Sequence, residues 1–236
     1  MPQLSIIMPA YNEERTIAEA IADVMSGVIA HVPDAELIIV NDGSRDQTVE
    51  IVEKLQKQNK AFTLISQQNR GHGPALRRGL DAATGTWILV LDSDRQIQLD
   101  DFSRHWNARA EWDAYLGLRL PRHDPGFRLV ISKLMRAALK LLVGVAPQDA
   151  GAPYKLFSAS VWQQASQHIR PDCWIPSVLL ASYVLSNKNL RVIEAPIKHR
   201  ERLHGVSTLN AKRLVRFCWY AMGDIVTFRR SLRILR

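Results

Sequence analysis

Trp87-Ile-Leu-Val-Leu-Asp92-Ser-Asp94-Arg-Gln96 is the stretch that decides how this chain folds. An apolar run, Trp87 to Leu91, follows the turn signal Thr84-Gly85-Thr86 and stops at two carboxylates. Such a run reads as a strand covered on both faces, as in a parallel sheet. A buried strand closing on Asp-x-Asp delivers hard oxygen ligands to the C-terminal edge of a sheet, where open α/β folds bind ligands. Asp92 and Asp94, with the amide oxygen of Gln96 two residues on, suit a divalent cation, Mg2+ or Mn2+, that keeps some waters and also takes diphosphate oxygens. Taken alone, the same Asp-x-Asp only opens a turn, so the reading depends on what surrounds it.

Upstream, the chain alternates between short apolar runs and helical patterns. Leu4-Ser-Ile-Ile-Met-Pro9 reads as a first strand, and Asn12 can cap a helix begun by Glu13-Glu14, since acidic residues favour a first turn. Ile17, Ala20, Ile21 and Val24 recur at helical spacing. Glu36 to Val40 is a second strand, running into the polar turn Asn41 to Thr48; Val49 to Lys57 is helical, and Phe62 to Ile65 is a third strand. After Gln67 to Gly73 a helix runs from Pro74 to Ala83 and leads into the strand ending at Asp92. Strands and helices in strict alternation predict an α/β fold with a mostly parallel sheet flanked by helices. Three strand ends then carry polar loops to one edge: Tyr11 to Glu13, Asp42 to Asp46, and Asp92 to Gln96.

Composition narrows the class. The chain has 236 residues, 47% hydrophobic and 23% charged, enough for one large α/β domain. Cys173 and Cys218, far apart and without a secretory signal, point to a reducing compartment and exclude a cysteine metal site. Net charge is +8; residues 1–197 hold 21 Lys/Arg against 21 Asp/Glu, and residues 198–236 hold 10 against 2. The body is neutral and the tail is a basic patch, able to meet an anionic membrane or nucleic acid. Gly71-His-Gly73 is neither a P-loop, because no Gly-Lys-Ser/Thr follows, nor a dinucleotide fingerprint, because the third glycine and the downstream acid are missing.

Four motifs carry a family resemblance: Ser5-Ile-Ile-Met-Pro-Ala-Tyr-Asn-Glu-Glu14, Ile39-Val-Asn-Asp42-Gly-Ser-Arg-Asp46, Gly71-His-Gly-Pro-Ala75 with Gly79, and Leu91-Asp-Ser-Asp94. In order and spacing they resemble those of family 2 inverting glycosyltransferases, which implies a Rossmann-like GT-A fold. The resemblance covers roughly residues 4–210. It implies that Pro9, Tyr11, Glu13 and Asp42 hold the nucleoside of a nucleotide-diphosphate sugar, GDP-mannose or a UDP-hexose, while Asp92, Asp94 and Gln96 hold the metal. Asp92 and Asp94 are therefore the expected catalytic pair. The chemistry is consistent: carboxylates accept hydrogen bonds from base and ribose donors, and Tyr11 offers a ring for stacking.

The second half is similar to the polyprenyl-phosphate sugar transferases of the dolichyl-phosphate mannose synthase type. The similarity rests on Tyr115-Leu-Gly-Leu-Arg119, Gly126-Phe-Arg128-Leu-Val-Ile-Ser132 and Pro196 to Ser207 with Arg202 and Gly205. It implies that Arg119, Arg128, Ser132 and Arg202 bind the acceptor phosphate, a role that guanidinium groups suit. Two departures bear on the donor sugar. Gln148 to Tyr154 stands where relatives commonly read Asp-x-x-x-Gly-Phe-Arg/Lys, and Arg95 stands where leucine is usual.

Phe127 to Val143 is helical in pattern, with Arg128, Ser132, Arg136 and Lys140 in one stripe and apolar residues around the remainder. Such a helix suits a membrane interface, although a core helix with one basic wet face has the same pattern. Residues 211–236 read as a basic amphipathic helical tail following a glycosyltransferase domain over 1–210. Its apolar span is too short for a bilayer, which takes about 20 residues. The expected protein is a peripheral enzyme on the cytoplasmic face of a membrane, moving a hexose from a nucleotide-diphosphate sugar to a polyprenyl phosphate such as dolichyl or undecaprenyl phosphate. It would work alone or with a membrane-embedded partner protein, and not on nucleic acid. Two alternatives stay open: transfer to a sugar or lipid hydroxyl, with Asp149 as base, and a non-catalytic nucleotide-sugar binding subunit.

Overall fold

The computed structural model describes residues 1–58, 62–120, 126–200 and 211–233; at 126–130, 211–215 and 233 it describes the backbone alone. Strands β1 (Leu4–Ala10), β2 (Ala35–Asn41), β3 (Phe62–Ser66) and β4 (Trp87–Val90) alternate with helices α1 (Ile17–Val24), α2 (Thr48–Gln58) and α3 (His72–Ala82). Then follow α4 (Phe102–Asn107), β5 (Ala114–Arg119), α5 (Gly126–Val143), β6 (Lys155–Ser158), α6 (Ala159–Ser166), α7 (Pro176–Ser186), β7 (Val192–Ile197) and α8 (Ala211–Arg233). The strands form one sheet in the order β3-β2-β1-β4-β6-β5-β7. β6 runs antiparallel to β4 and β5; the other pairings are parallel. The expected α/β architecture and mostly parallel sheet are both present.

Period-two alternation sorts the sheet's side chains into two cores. Leu4, Ile6 and Met8 of β1 pack with α1 and with Phe102, Trp106 and Trp112 on one face. Ile7 joins Ile38, Val40, Ile88 and Val90 on the other, under α3, α6, α7 and α8. Pro9 does not end β1, as the sequence suggests, because Pro9 and Ala10 still pair with Val40 and Asn41. The N–H of Leu91 donates to Ile7 O, so Ile7, and hence Pro9 two residues on, turns its main-chain groups toward β4, whose last residue is Val90. The missing proline donor thus falls where the ladder has already stopped. After α1 the chain makes a π-helical turn, Met25–Ile29, which the 3.6-residue pattern does not announce.

Because β6 runs backwards, its first residue, Lys155, lies opposite Val90 at the C-terminal end of β4. β5 runs the same way as β4, so Arg119 at its end reaches this same edge. The sheet edge that collects Asp92 therefore collects Arg119 and Lys155 as well.

Helix α8 has two different faces. Ala221, Ile225 and Phe228 are buried in the second core. Between them lies the buried Asp224, whose carboxylate accepts the Trp174 N–H at 2.7 Å and the Cys173 thiol at 3.4 Å. Trp174 stacks on Tyr220 with ring centroids 4.7 Å apart. On the outside Trp219 is 79% exposed, and Met222 and Arg216 are exposed too. Helix α5 buries Leu139 and exposes Leu134, Leu141, Lys133, Arg136 and Lys140. A core helix with a purely basic wet face does not fit this mixture. No helix among the described residues is long and apolar enough to cross a membrane.

Candidate active site

The loops after β1 and β2 are tied together by short polar contacts. Asn12 donates its N–H to Ser44 Oγ at 3.0 Å and accepts the Arg45 N–H at 2.8 Å. The Glu13 N–H donates to Thr48 Oγ1 at 2.8 Å, and Glu13 Oε2 accepts the Thr16 hydroxyl at 2.7 Å. Gly43 makes the turn at φ +70°, with Asn69 N only 2.7 Å from where a Cβ would stand, so a side chain here meets both strain and backbone. Pro9, Glu13 and Asp42 thus come to one edge with Tyr11, whose side chain is exposed.

Asp42 has a framework part that its sequence does not announce. It is buried, and its carboxylate accepts Gln67 Nε2 at 2.8 Å, the Arg70 N–H at 2.9 Å and the Gly71 N–H at 2.8 Å. A carboxylate offers about four acceptor positions, and three are occupied by the loop before α3. Asp42 is first a framework residue, and a nucleoside has at most one position left on it.

Beyond β4, the chain folds its two aspartates into a braced loop. Asp94 Oδ1 accepts the Gln96 N–H at 3.1 Å. Arg95 adopts φ +60° and turns back onto α1, where Nε meets Asp23 Oδ2 at 2.7 Å and Nη1 pairs with Glu19. The residue that departs from the family pattern therefore braces the loop through α1. Gln96 Nε2 donates to Arg200 O at 3.3 Å, Gln96 O accepts the Arg200 N–H at 2.7 Å, and Ile97 bridges His199. Gln96 is thereby bound to the segment leading toward Arg202; these contacts use its nitrogens and main-chain oxygen and leave the assignment of its Oε1 to a metal as a proposal.

Three basic residues, His72, Lys155 and Arg119, act on Asp92 electrostatically. His72 Nε2 lies 3.1 Å from Asp92 Oδ1. Burial pushes the Asp92 carboxyl up, but the hydrogen bond from His72 and the charges of His72, Lys155 and Arg119 outweigh it and hold the carboxyl below its ordinary value. Lys155 is 1% exposed, and its ammonium donates to Ala152 O. Burial lowers the Lys155 pKa to about 8, against the raising charges of Asp149 and Asp92.

Arg119 reaches this edge as half of an ion pair. Its Nε and Nη2 meet Asp149 Oδ2 and Oδ1 at 2.8 and 2.9 Å, and the side chains are 11% and 5% exposed. Two consequences follow for their expected roles. Arg119 is not a lone guanidinium awaiting an anion; Asp149 already neutralises part of its charge. Asp149, with both oxygens on that guanidinium, is a poor base for a hydroxyl acceptor. Ser132 is half-buried on α5; Arg128 is described in backbone only, and Arg202 lies outside the described residues.

Among the described residues no three His, Cys, Asp or Glu side chains are grouped to cage a metal. Mg2+-like ions take one or two protein carboxylates and complete their shell with water and phosphate oxygens, so Asp92 and Asp94 are the residues that could hold one here.

The family profile of Glycosyl transferase family 2 matches residues 5–140. The chain belongs to that family. Of this transferase's curated relatives, the undecaprenyl-phosphate 4-deoxy-4-formamido-L-arabinose transferase of Edwardsiella ictaluri is 26% identical over 227 residues, covering 95% of this chain and 67% of the relative. The dodecaprenyl-phosphate galacturonate synthase of Rhizobium johnstonii is 28% identical over 223 residues, covering 91% and 64%. The transferase thus spans about two thirds of the length of these relatives. Glucosyl-3-phosphoglycerate synthase from Mycobacterium tuberculosis, solved with Mn2+, UDP-glucose and phosphoglyceric acid, superposes with a TM-score of 0.70 at 17% identity, covering 97% of this chain and 80% of that one. A Pyrobaculum calidifontis mannosyltransferase solved with GDP-mannose and Mn2+ gives 0.64 at 18%, covering 98% and 69%. These likenesses bear out the GT-A fold expected from the four motifs.

Two basic residues at this edge are not among those the motifs pointed to. Lys155 opens a short apolar strand, and its only signal is that a lysine stands where the departed motif ends. His72 sits between two glycines, where a turn explains the pattern without it.

Proposed function

We propose that the transferase moves a hexose from a nucleotide-diphosphate sugar, GDP-mannose or a UDP-hexose, to a polyprenyl phosphate, working as a peripheral enzyme at the cytoplasmic face of a membrane. The observation that carries this reading is the sheet edge itself: carboxylates suited to a cation and diphosphate after β4, and at the same edge a basic cluster in which Arg119, paired with Asp149, and the buried Lys155 add positive charge. Names of curated relatives that act on undecaprenyl or dodecaprenyl phosphate support the same acceptor class.

In this reading Pro9, Tyr11 and Glu13 hold the nucleoside, with Asp42 shaping the loop beneath it. Asp92 and Asp94, with Gln96, hold Mg2+ or Mn2+. A divalent cation bound there supplies positive charge to the departing diphosphate. Arg119, Arg128, Ser132 and Arg202 hold the acceptor phosphate, Arg119 acting with its Asp149 partner and Lys155 as a preset cluster. One acceptor oxygen bonds to the anomeric carbon as the bond to the diphosphate oxygen breaks, and the diphosphate leaves with the electron pair. A single displacement of this kind inverts the anomeric centre. The acceptor phosphate is already ionised near neutral pH, so the step needs no strong base, consistent with the engaged state of Asp149.

The mixed outer surface of α5 and α8 supports a membrane location. Helix α5 exposes Leu134 and Leu141 with Lys133, Arg136 and Lys140, and α8 exposes Trp219 and Met222 with Arg216, the apolar-and-basic combination that binds the headgroup region of anionic bilayers.

The test is incubation with polyprenyl phosphate and a panel of labelled nucleotide sugars. Label entering the lipid phase, and abolished by EDTA, is the expected outcome. Label that never leaves the aqueous phase with any donor overturns the acceptor assignment.

A further inference from the structure

His72 stands on the active-site edge without an assigned part. Its backbone is fixed from both sides. Upstream, the N–H groups of Arg70 and Gly71 are held by Asp42 at 2.9 and 2.8 Å. Downstream, a Cβ on Gly73 would lie 2.4 Å from Trp174 O, so the start of α3 is pressed against the 173–174 loop with no space to shift. The imidazole itself is 59% exposed, yet its Nε2 lies 3.1 Å from Asp92 Oδ1. An exposed side chain on a backbone this constrained is placed by its loop.

We propose that His72 is a positioning residue for the metal: it holds Asp92 Oδ1 and so aims Oδ2 at the cation. The inference rests on the metal reading of Asp92 and Asp94 given above. Asp92 follows a four-residue strand on the way into a braced loop, and its side chain is 33% exposed, so nothing in its own burial fixes its carboxylate plane. Among the hydrogen bonds of the described residues, the one that fixes it comes from His72. An ionised carboxylate can only accept, so at 3.1 Å the imidazole Nε2 bears its proton toward Asp92 Oδ1. Hydrogen-bond partners of metal-ligating carboxylates tune affinity, and their loss typically costs about 10–100-fold in metal binding.

The experiment measures Mn2+ binding directly, by loss of the free-ion EPR signal, with the protein free of donor and acceptor. Four proteins are compared: the parent, Asp94→Asn, His72→Ala and His72→Gln. The parent binds, and Asp94→Asn binds much more weakly. His72→Ala loses roughly 10–100-fold in affinity, while its thermal midpoint stays near the parent's because the side chain is exposed. His72→Gln, which keeps a donating N–H, recovers most of that loss. Parent-like binding by His72→Ala overturns the proposal and leaves the metal site standing. Equal loss in the Ala and Gln variants, together with a lowered thermal midpoint, overturns it in favour of a purely structural part. Electron spin echo spectra of the parent distinguish direct ligation: a nitrogen coupling that disappears in His72→Ala makes His72 a ligand, and the positioning role falls. Parent binding insensitive to Asp94→Asn removes the metal reading and this inference with it.

Discussion

Asp149→Asn should destabilise the transferase far more than Arg119→Ala, although both break the same ion pair. The pair is 5% and 11% exposed and doubly hydrogen-bonded, so neither charge is relieved by water when its partner goes. Asp149 also lies within electrostatic reach of Lys155, which is 1% exposed. Removing the Asp149 charge leaves Arg119 and Lys155 facing each other, with Asp92 as the nearby anion that acts on both. Breaking a buried pair by removing one partner costs about 3–5 kcal/mol. Removing Arg119 leaves Asp149 with the Lys155 ammonium as a second partner, and the loss falls toward the cost of an incompletely satisfied buried group, about 1–3 kcal/mol. Urea unfolding followed by tryptophan fluorescence, in EDTA to exclude metal binding, gives both values. Adding Lys155→Met to Asp149→Asn should recover part of the loss, because it removes one of the two cations that Asp149 helps to balance. A loss below about 1 kcal/mol for Asp149→Asn, or a larger one for Arg119→Ala, refutes the picture of a single charge cluster at this edge.

Asp94→Asn keeps the shape of the side chain and removes its charge; lipid-linked product should vanish while the thermal midpoint is kept, and near-normal turnover with saturating Mn2+ or Mg2+ would sink the metal assignment. The protein should float with anionic liposomes and be partly released by high salt, since screening weakens the basic contribution and leaves the apolar one. Exchange of Leu134 and Leu141 for Glu should weaken flotation without loss of solubility, and a parent that never floats speaks against an interfacial surface. Arg128→Ala and Arg202→Ala should each lower kcat/KM for polyprenyl phosphate by roughly one to two decades, the value of a charge-assisted hydrogen bond, with the donor KM little moved; unchanged acceptor kinetics in both remove them from the acceptor site. His105 is 5% exposed between the Tyr154 and Tyr115 hydroxyls, each 2.9 Å away, and burial lowers its pKa to about 4. The unfolded chain takes up this proton near pH 6.5 and the folded one only near 4, so stability is whole above 6.5 and falls as pH drops through that window by on the order of 3 kcal/mol. His105→Gln should flatten this limb of the urea-midpoint profile, and an unchanged slope would disprove the assignment.

The sheet edge after β1, β2 and β4 was legible because each of its parts is continuous in sequence: a buried strand, then a polar loop, repeated three times. Local pattern suffices for such a unit. The edge beyond β4 was not legible for the opposite reason. β6 has only four residues and runs against its neighbours, so neither length nor periodicity announces it, and its Lys155 reads as an interruption of an apolar run. The Arg119–Asp149 pair joins residues thirty apart, and sequence gave each a separate role that their contact alters. Asp42 was placed at the right edge with an incomplete part, because the three donors it accepts come from a loop at 67–71 that pattern alone does not bring near. The wet face of α5 was ambiguous until Leu134 and Leu141 proved exposed beside the lysines.

Asp224 has a mechanical consequence. A helix that lies on a bilayer can be tethered loosely, letting the body swing below it, or can be fixed to the body. A carboxylate buried in the middle of α8 and held by the Trp174 N–H permits only the second, because lifting the helix would strip a charge of its donor. Trp174 is also the residue whose carbonyl crowds Gly73, next to His72. In the proposed membrane-bound state, α8 acts as a keel: its tie to the 173–174 loop couples the standoff between headgroups and the sheet edge to the fold. A lipid whose reacting phosphate sits at a constant depth then needs no search in height, only in the plane of the membrane.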